Sequence, residues 1–90
     1  MQKPVIVTTS LKGVFFGYIQ ETDMKETTVT LKNCRNVIYW SCKGGFLSLC
    51  TTIEAGSRLG TLAPEVIIQN VTSISVCTPE QAERLLAWTN

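Results

Sequence analysis

β-Branched residues dominate this chain and limit the folds open to it. Val, Ile and Thr supply 27 of its 90 residues, whereas Ala supplies 4. Branched Cβ atoms lose less rotamer freedom on a pleated strand than in a helix, so this composition favours strands. Ninety residues is also the length of one domain with a small core. We therefore predict a single domain, residues 1–90, that is mainly β.

A glycine inside an apolar strand pattern predicts a sharp bend. The second predicted strand, residues 14–20, contains Gly17, and an interior glycine marks a bend or a close backbone approach. An acidic turn follows, then a strand in which Val29 and Leu31 alternate with polar residues until Asn33 ends it. This order resembles the opening of SH3-like and Sm-like barrels. We predict a mainly β (α+β) fold, either a small, strongly bent antiparallel sheet or an SH3/Sm-like barrel, with a short middle helix and a C-terminal helix.

Two segments carry the helix signals. Residues 46–53 place apolar side chains at helical spacing and also in strand-like alternation, so both interpretations stay open. Gly56 is typical of the position after a helix and favours a short helix there. Near the C-terminus, Thr78 can cap a helix, a proline follows it, and Gln81 completes a capping box. That pattern predicts a helix that runs through Trp88.

The ionisable and metal-binding residues exclude several classes of function. The chain has no His, which removes imidazole bases, Ser-His or Cys-His nucleophile pairs and His metal ligands. Its four cysteines, Cys34, Cys42, Cys50 and Cys77, contain no C-x-x-C pair, so no zinc site is predicted. A net charge of +1 excludes a strongly basic nucleic-acid binder. We predict no catalytic residue, no metal and no cofactor, and hence a protein that is not an enzyme.

The amino terminus and the cysteines favour a reducing cytoplasm. The apolar run that follows Pro4 is too short for the core of a signal peptide, and no stretch is long enough to span a membrane. In a reducing compartment a free cysteine behaves as a small buried hydrophobe. We therefore predict four free thiols and no membrane partner.

Residues 33–41 hold the densest group of side chains suited to ligand binding. An arginine can clamp a phosphate, and Tyr or Trp can stack on a base. The run from Arg35 to Trp40 is apolar on both faces, so a second subunit is expected to cover one face. Strand alternation puts Arg35 and Trp40 on opposite faces, and we expect two subunits to supply one each. As a surface residue, Arg35 should tolerate alanine within about 1 kcal/mol. The alternative is that the aromatic residues anchor the core while Arg35 extends to solvent. The predicted ligand-binding residues are Arg35, Asn36, Tyr39, Trp40 and Arg58.

The same stretch resembles a motif of small phage and prophage proteins that carry a domain of unknown function. The motif reads Leu-x-Asn-Ala-Arg-x-Ile-Tyr-x-Trp, which Leu31, Asn33, Arg35 and Trp40 match, while Cys34 stands where Ala is usual. The resemblance extends over nearly the whole chain. It implies a viral origin and a compact fold, and it transfers no activity.

The functional prediction follows by analogy with other short viral proteins. Such proteins act mainly by binding, and a small core gains stability from self-association. We predict a phage-encoded, non-enzymatic anti-defence protein in the host bacterial cytoplasm. As a homo-oligomer it would sequester a nucleotide-type immune signal. The alternatives are an Sm-like RNA-binding or regulatory phage protein and an inhibitor that blocks a host protein directly.

Overall fold

Six β-strands and one α-helix form within residues 2–11, 13–40 and 46–89, the parts of the chain that this computed structural model describes. In chain order they are β1 (Gln2–Thr9), β2 (Val14–Gln20), β3 (Val29–Tyr39), β4 (Arg58–Leu59), β5 (Ala63–Ile68), β6 (Val71–Val76) and α1 (Pro79–Ala87). Short 3-10 helices lie at Glu21–Asp23 and Phe46–Cys50. The predicted mainly β fold with a C-terminal helix is confirmed, and the ambiguous middle segment begins as a helix.

The strands form one antiparallel sheet whose ends curl toward each other. Its hydrogen-bonded order is β4–β3–β2–β1–β6, and β5 pairs with the earlier part of β3. β5, which pairs with β3, and β6, which pairs with β1, lie at opposite edges of the sheet, yet only Gln69 and Asn70 connect them. Two intervening residues let the flanking Cα atoms lie at most about 11 Å apart, so the sheet must curve strongly. Strand pairing does not close the sheet, so the bent sheet forms rather than a closed barrel.

A bulge opposite Gly17 makes the predicted bend. The pairing of β2 with β3 shifts register between Phe16 and Tyr18, and Asn33 on β3 takes a left-handed φ of 50°. A Cβ at position 17 would lie only 2.9 Å from the Cβ of Leu31, which confirms the close approach. The prediction that Asn33 ends its strand is wrong. The left-handed residue absorbs the bend as a β-bulge, and β3 continues past it.

The core consists of two apolar clusters on opposite faces of the sheet. Alternation along β1 divides them, because Ile6 belongs to one cluster whereas Val5 and Val7 belong to the other. The helix-side cluster contains Ile6, Val14, Phe16, Val37, Leu49, Cys50, Leu59, Cys77, Ala82 and Leu85. The far-side cluster contains Val5, Val7, Ile19, Val29, Leu31, Cys34 and Ile68. The helix covers one face, and the curl of the sheet encloses the other.

Helix α1 begins with half of the predicted capping box. The Thr78 hydroxyl accepts a hydrogen bond from the Gln81 backbone N–H at 3.2 Å, and Pro79 occupies the first helical position. The Gln81 side chain does not return to the cap. Its Nε2 donates to the Leu49 carbonyl at 2.9 Å and ties α1 to the second 3-10 helix. The helix ends at Ala87, one residue before the predicted end.

Candidate functional site

Arg35, the first of the predicted ligand-binding residues, is buried at the C-terminal end of α1 and is only 9% exposed. Its Nε donates to the Gly60 carbonyl at 2.8 Å. Its Nη1 donates to the carbonyls of Leu85 at 2.9 Å, Trp88 at 2.7 Å and Leu86 at 3.4 Å. The last carbonyls of a helix lack partners within the helix, so the guanidinium caps the end of α1.

The buried charge of Arg35 is balanced by the helix rather than by a carboxylate. A helix C-terminus carries partial negative charge, which favours a cation there. The ion pairs found among the described residues join Lys3 to Glu21 and Lys32 to Glu65, and neither involves Arg35. The expectation that Arg35 is a surface residue is therefore wrong. Its guanidinium connects the sheet to the helix.

The other predicted residues of the β3 segment divide into exposed and packed positions. Asn36 is exposed, and so is Tyr39 at 55%. Trp40 is half-buried and packs against the helix-side cluster, in agreement with the alternative that the aromatic residues of this run anchor the core. Val37 is buried while Ile38 is 53% exposed. One face of this apolar run is thus uncovered within the chain.

Arg58 lies in a cleft between the segment that enters β4 and the segment that follows α1. The cleft has a volume of about 500 Å³ and is lined by Ala55, Gly56, Ser57, Arg58, Trp88 and Thr89. Arg58 is exposed, and within residues 2–11, 13–40 and 46–89 no hydrogen bond or ion pair holds its guanidinium. Tyr39 pairs with Arg58 across β3 and β4 but does not line the cleft. The structure therefore brings Tyr39 and Arg58 together and commits Arg35 elsewhere.

Trp88 lines the same cleft, and hydrogen bonds hold both its ring and its backbone. Its indole Nε1 donates to the Ser57 carbonyl at 2.9 Å, and its own carbonyl accepts from Arg35. Gly56 has a left-handed φ of 96°, and a Cβ there would meet nothing within 4 Å, so the cleft is open at this point. The sequence pattern gives Trp88 only as the end of the predicted helix and misses this role. The turn glycine two residues before Arg58 is the local signal that points to the cleft.

The described cysteines offer no nucleophile and no metal site. Cys34, Cys50 and Cys77 are free and buried, while Cys42 lies outside the described residues. Burial raises the pKa of Cys34 to about 11 and raises the pKa values of Cys50 and Cys77 as well. Because the thiolate is the reactive form, these thiols are inert near neutral pH. No group of three His, Cys, Asp or Glu side chains in the described parts of the chain is placed to hold a metal.

Comparison with known proteins adds a family to this geometry. The chain belongs to the DUF6948 family, described as a domain of unknown function, whose profile matches residues 2–85. The matched segment includes Arg35, Ser57 and Arg58 and ends before Trp88. No curated protein and no solved structure matches the chain significantly. Among the described residues, no helix has the length and apolar character needed to cross a membrane.

Proposed function

We propose that this protein is a non-enzymatic binding protein that holds a nucleotide-type ligand in the cleft between Arg58 and Trp88. One observation carries the proposal. An arginine without a partner among the described residues stands in the same cleft as a fixed indole ring. An arginine that forms no ion pair within the protein is available to an anion, and an aromatic wall supplies a surface on which a flat base can stack.

The dimensions and the charge of the cleft fit this ligand class. Its volume of about 500 Å³ lies within the usual range for small-molecule sites. Its lining contains one cation, Arg58, and no acidic side chain, so a phosphate meets no repulsion from the walls. The Trp88 Nε1–H is already committed to Ser57. The indole therefore contributes stacking area rather than a hydrogen bond, and base selectivity should be weak.

We also propose that the protein assembles as a homo-oligomer through the exposed side of the β3 segment. Ile38 is 53% exposed and Tyr39 is 55% exposed, and a register shift between Val37 and Tyr39 in the pairing with β4 interrupts the strict alternation of faces there. Contiguous exposed apolar residues of this kind are typical of interaction surfaces. Sedimentation velocity at tens of micromolar should give a mass above one chain, and Ile38→Glu should reduce it to that of a monomer. A parent protein that sediments as a monomer would remove this part of the proposal.

The biological role that we propose is that of a phage-encoded anti-defence protein that sequesters a nucleotide-type immune signal in the host bacterial cytoplasm. It rests on the resemblance in sequence to small phage proteins, and the step from origin to role is analogy. A sequestering protein needs a binding site and no catalytic group. The buried thiols of Cys34, Cys50 and Cys77 and the lack of His in the sequence support this part of the proposal.

Binding of AMP, compared with binding of adenosine and of ribose 5-phosphate, tests the proposal. Adenosine lacks the phosphate that Arg58 would hold, and ribose 5-phosphate lacks the base that Trp88 would stack. We expect saturable AMP binding by calorimetry and at least about tenfold weaker binding of each fragment, the worth of one charge-assisted contact. GMP, CMP and UMP should bind within about tenfold of AMP, because stacking tolerates every base.

Two arginine variants supply the matched control. Arg58→Ala should weaken AMP binding at least about tenfold, whereas Arg84→Ala removes the same charge from the exposed face of α1 and should leave AMP binding unchanged. If Arg58→Ala binds AMP as the parent does, or if no nucleotide binds, the proposed site is wrong. Tight binding of single-stranded RNA that weakens steeply with salt would favour the RNA-binding alternative. Binding of neither would favour an inhibitor of a host protein.

A further inference from the structure

Arg35 connects the two walls of the cleft from behind. Its Nε donates to the carbonyl of Gly60 at 2.8 Å, two residues along the chain from Arg58. Its Nη1 donates to the carbonyl of Trp88 at 2.7 Å, and Trp88 also lines the cleft. One rigid group thus spans from the strand that carries the cation to the turn that carries the indole, without itself lining the cleft.

We infer that Arg35 is a positioning residue that sets the distance between Arg58 and Trp88 and so determines how tightly the cleft holds its ligand. The inference rests on the proposed function of the cleft. Trp88 is the C-cap of α1, where a long bond of 3.4 Å from its backbone N–H to the Leu85 carbonyl is the last one of the helix. Two shorter hydrogen bonds from outside the helix hold it there. The bond from its Nε1 to Ser57 orients the ring, and the bond from Arg35 to its carbonyl fixes the backbone.

The planar shape of the guanidinium is what this role requires. An arginine presents five N–H donors in a fixed fork, so separate donors can reach Gly60 and Trp88 at the same time. A lysine keeps the positive charge and its attraction to the helix terminus but ends in a single nitrogen. Arg35→Lys should therefore remove the bridge between Gly60 and Trp88 while it keeps the positive charge at the end of the helix.

The experiment combines AMP calorimetry with the indole N–H signals of the two tryptophans in ¹⁵N NMR spectra, assigned with Trp40→Phe. In Arg35→Lys we expect AMP affinity to fall at least about tenfold, a loss typical of a binding group moved out of place. The Trp88 indole signal should shift and exchange faster with water, while the Trp40 signal stays in place. Arg58→Lys is the matched control, since it should weaken AMP binding without moving the Trp88 signal of the free protein.

The outcomes separate this inference from the proposed function. If Arg35→Lys binds AMP like the parent, or leaves the Trp88 signal unmoved, Arg35 is not a positioning residue. Weaker AMP binding by Arg58→Ala would still support the proposed site in that case. If the parent binds no nucleotide, the proposed function fails. If, in addition, the Trp88 signal moves in Arg35→Lys, Arg35 fixes the indole, but its proposed effect on ligand affinity is overturned.

A measurement on the parent protein keeps the inference testable if Arg35→Lys does not fold. Coupling is reciprocal, so a ligand that depends on the Arg35 bonds must also strengthen them. Exchange of the Arg35 Nε–H, measured relative to a core amide of β1, should slow several-fold on saturation with AMP. An unchanged ratio would overturn the inference.

Discussion

The regions around Arg35 and Arg58 contain the same side chain in opposite states. Arg35 is buried, and four carbonyl oxygens accept hydrogen bonds from its guanidinium. Arg58 is exposed beside an open cleft, with no partner among the described residues. A ligand that approached Arg35 would have to displace the end of a helix, whereas a ligand at Arg58 displaces only water. The comparison teaches that two arginines of one chain can differ in whether their charge is available, and of these two only Arg58 is without a partner among the described residues.

The largest difference between the two regions should appear in stability. Arg35→Ala leaves the carbonyls at the end of α1 and that of Gly60 without their donor in a buried place. We expect the free energy of unfolding to fall by about 3–5 kcal/mol, as when one partner of a buried charged contact is removed. Urea denaturation measures this loss. Lys25→Ala is the control, since Lys25 is exposed and forms none of the ion pairs found among the described residues. It should change stability by less than about 0.5 kcal/mol, so equal stability of the two variants would remove the distinction between the regions.

Trp88 stands between the two regions, and its replacement should have an intermediate effect. Trp88→Ala removes the indole bond to Ser57 and a half-buried ring, for a loss of about 1–3 kcal/mol. Trp88→Phe keeps a ring and removes only the N–H donor, so about 1 kcal/mol should be lost. The same urea titrations give both values. A Phe variant as unstable as the Ala variant would mean that the hydrogen bond, and not the ring, holds this wall.

The pH dependence of stability tests whether the thiol of Cys34, the residue before Arg35, is shielded from water. Burial raises the pKa of Cys34 from 9.0 to about 11. Between these values the unfolded chain loses a proton that the folded protein keeps, so stability falls as pH rises from about 9 to 11, by at most about 1.4 kcal/mol per unit. Below pH 9 the contribution is fully present. In Cys34→Ala the free energy of unfolding should fall less steeply over this pH range. If it falls equally steeply in variant and parent, the Cys34 thiol is exposed to water in the folded protein.

The smallest effect on stability should come from the open region. Arg58→Ala removes an exposed side chain that no described residue holds, so the free energy of unfolding should change by less than about 0.5 kcal/mol. Thermal unfolding of the free protein, without nucleotide, checks this. A loss close to that of Arg35→Ala would show that Arg58 has structural partners, and the cleft would lose its free cation.

Much of the fold could be predicted because its signals are local. The interior glycine at position 17, the Thr78 cap and the β-branched composition each act on neighbouring backbone. The role of Arg35 could not be predicted, because its partners lie far along the chain, and Leu85 follows it by 50 residues. Strand alternation predicts which face of the sheet a side chain lies on, but not which helix or loop packs against that face. The cleft was missed for the same reason, since Arg58 and Trp88 meet only after α1 has folded back.

One NMR titration distinguishes the structural role of Arg35 from the ligand-binding role of Arg58, because the chain has only three arginines, Arg35, Arg58 and Arg84. Their side-chain N–H signals can be followed together while AMP is added. We predict that the Arg35 Nε–H exchanges slowly with water before any ligand is present, and that the Arg58 signal shifts most as AMP saturates the protein, while the Arg84 signal stays constant. An Arg35 signal that exchanges as fast as that of Arg84, together with an Arg58 signal that AMP does not move, would contradict the account.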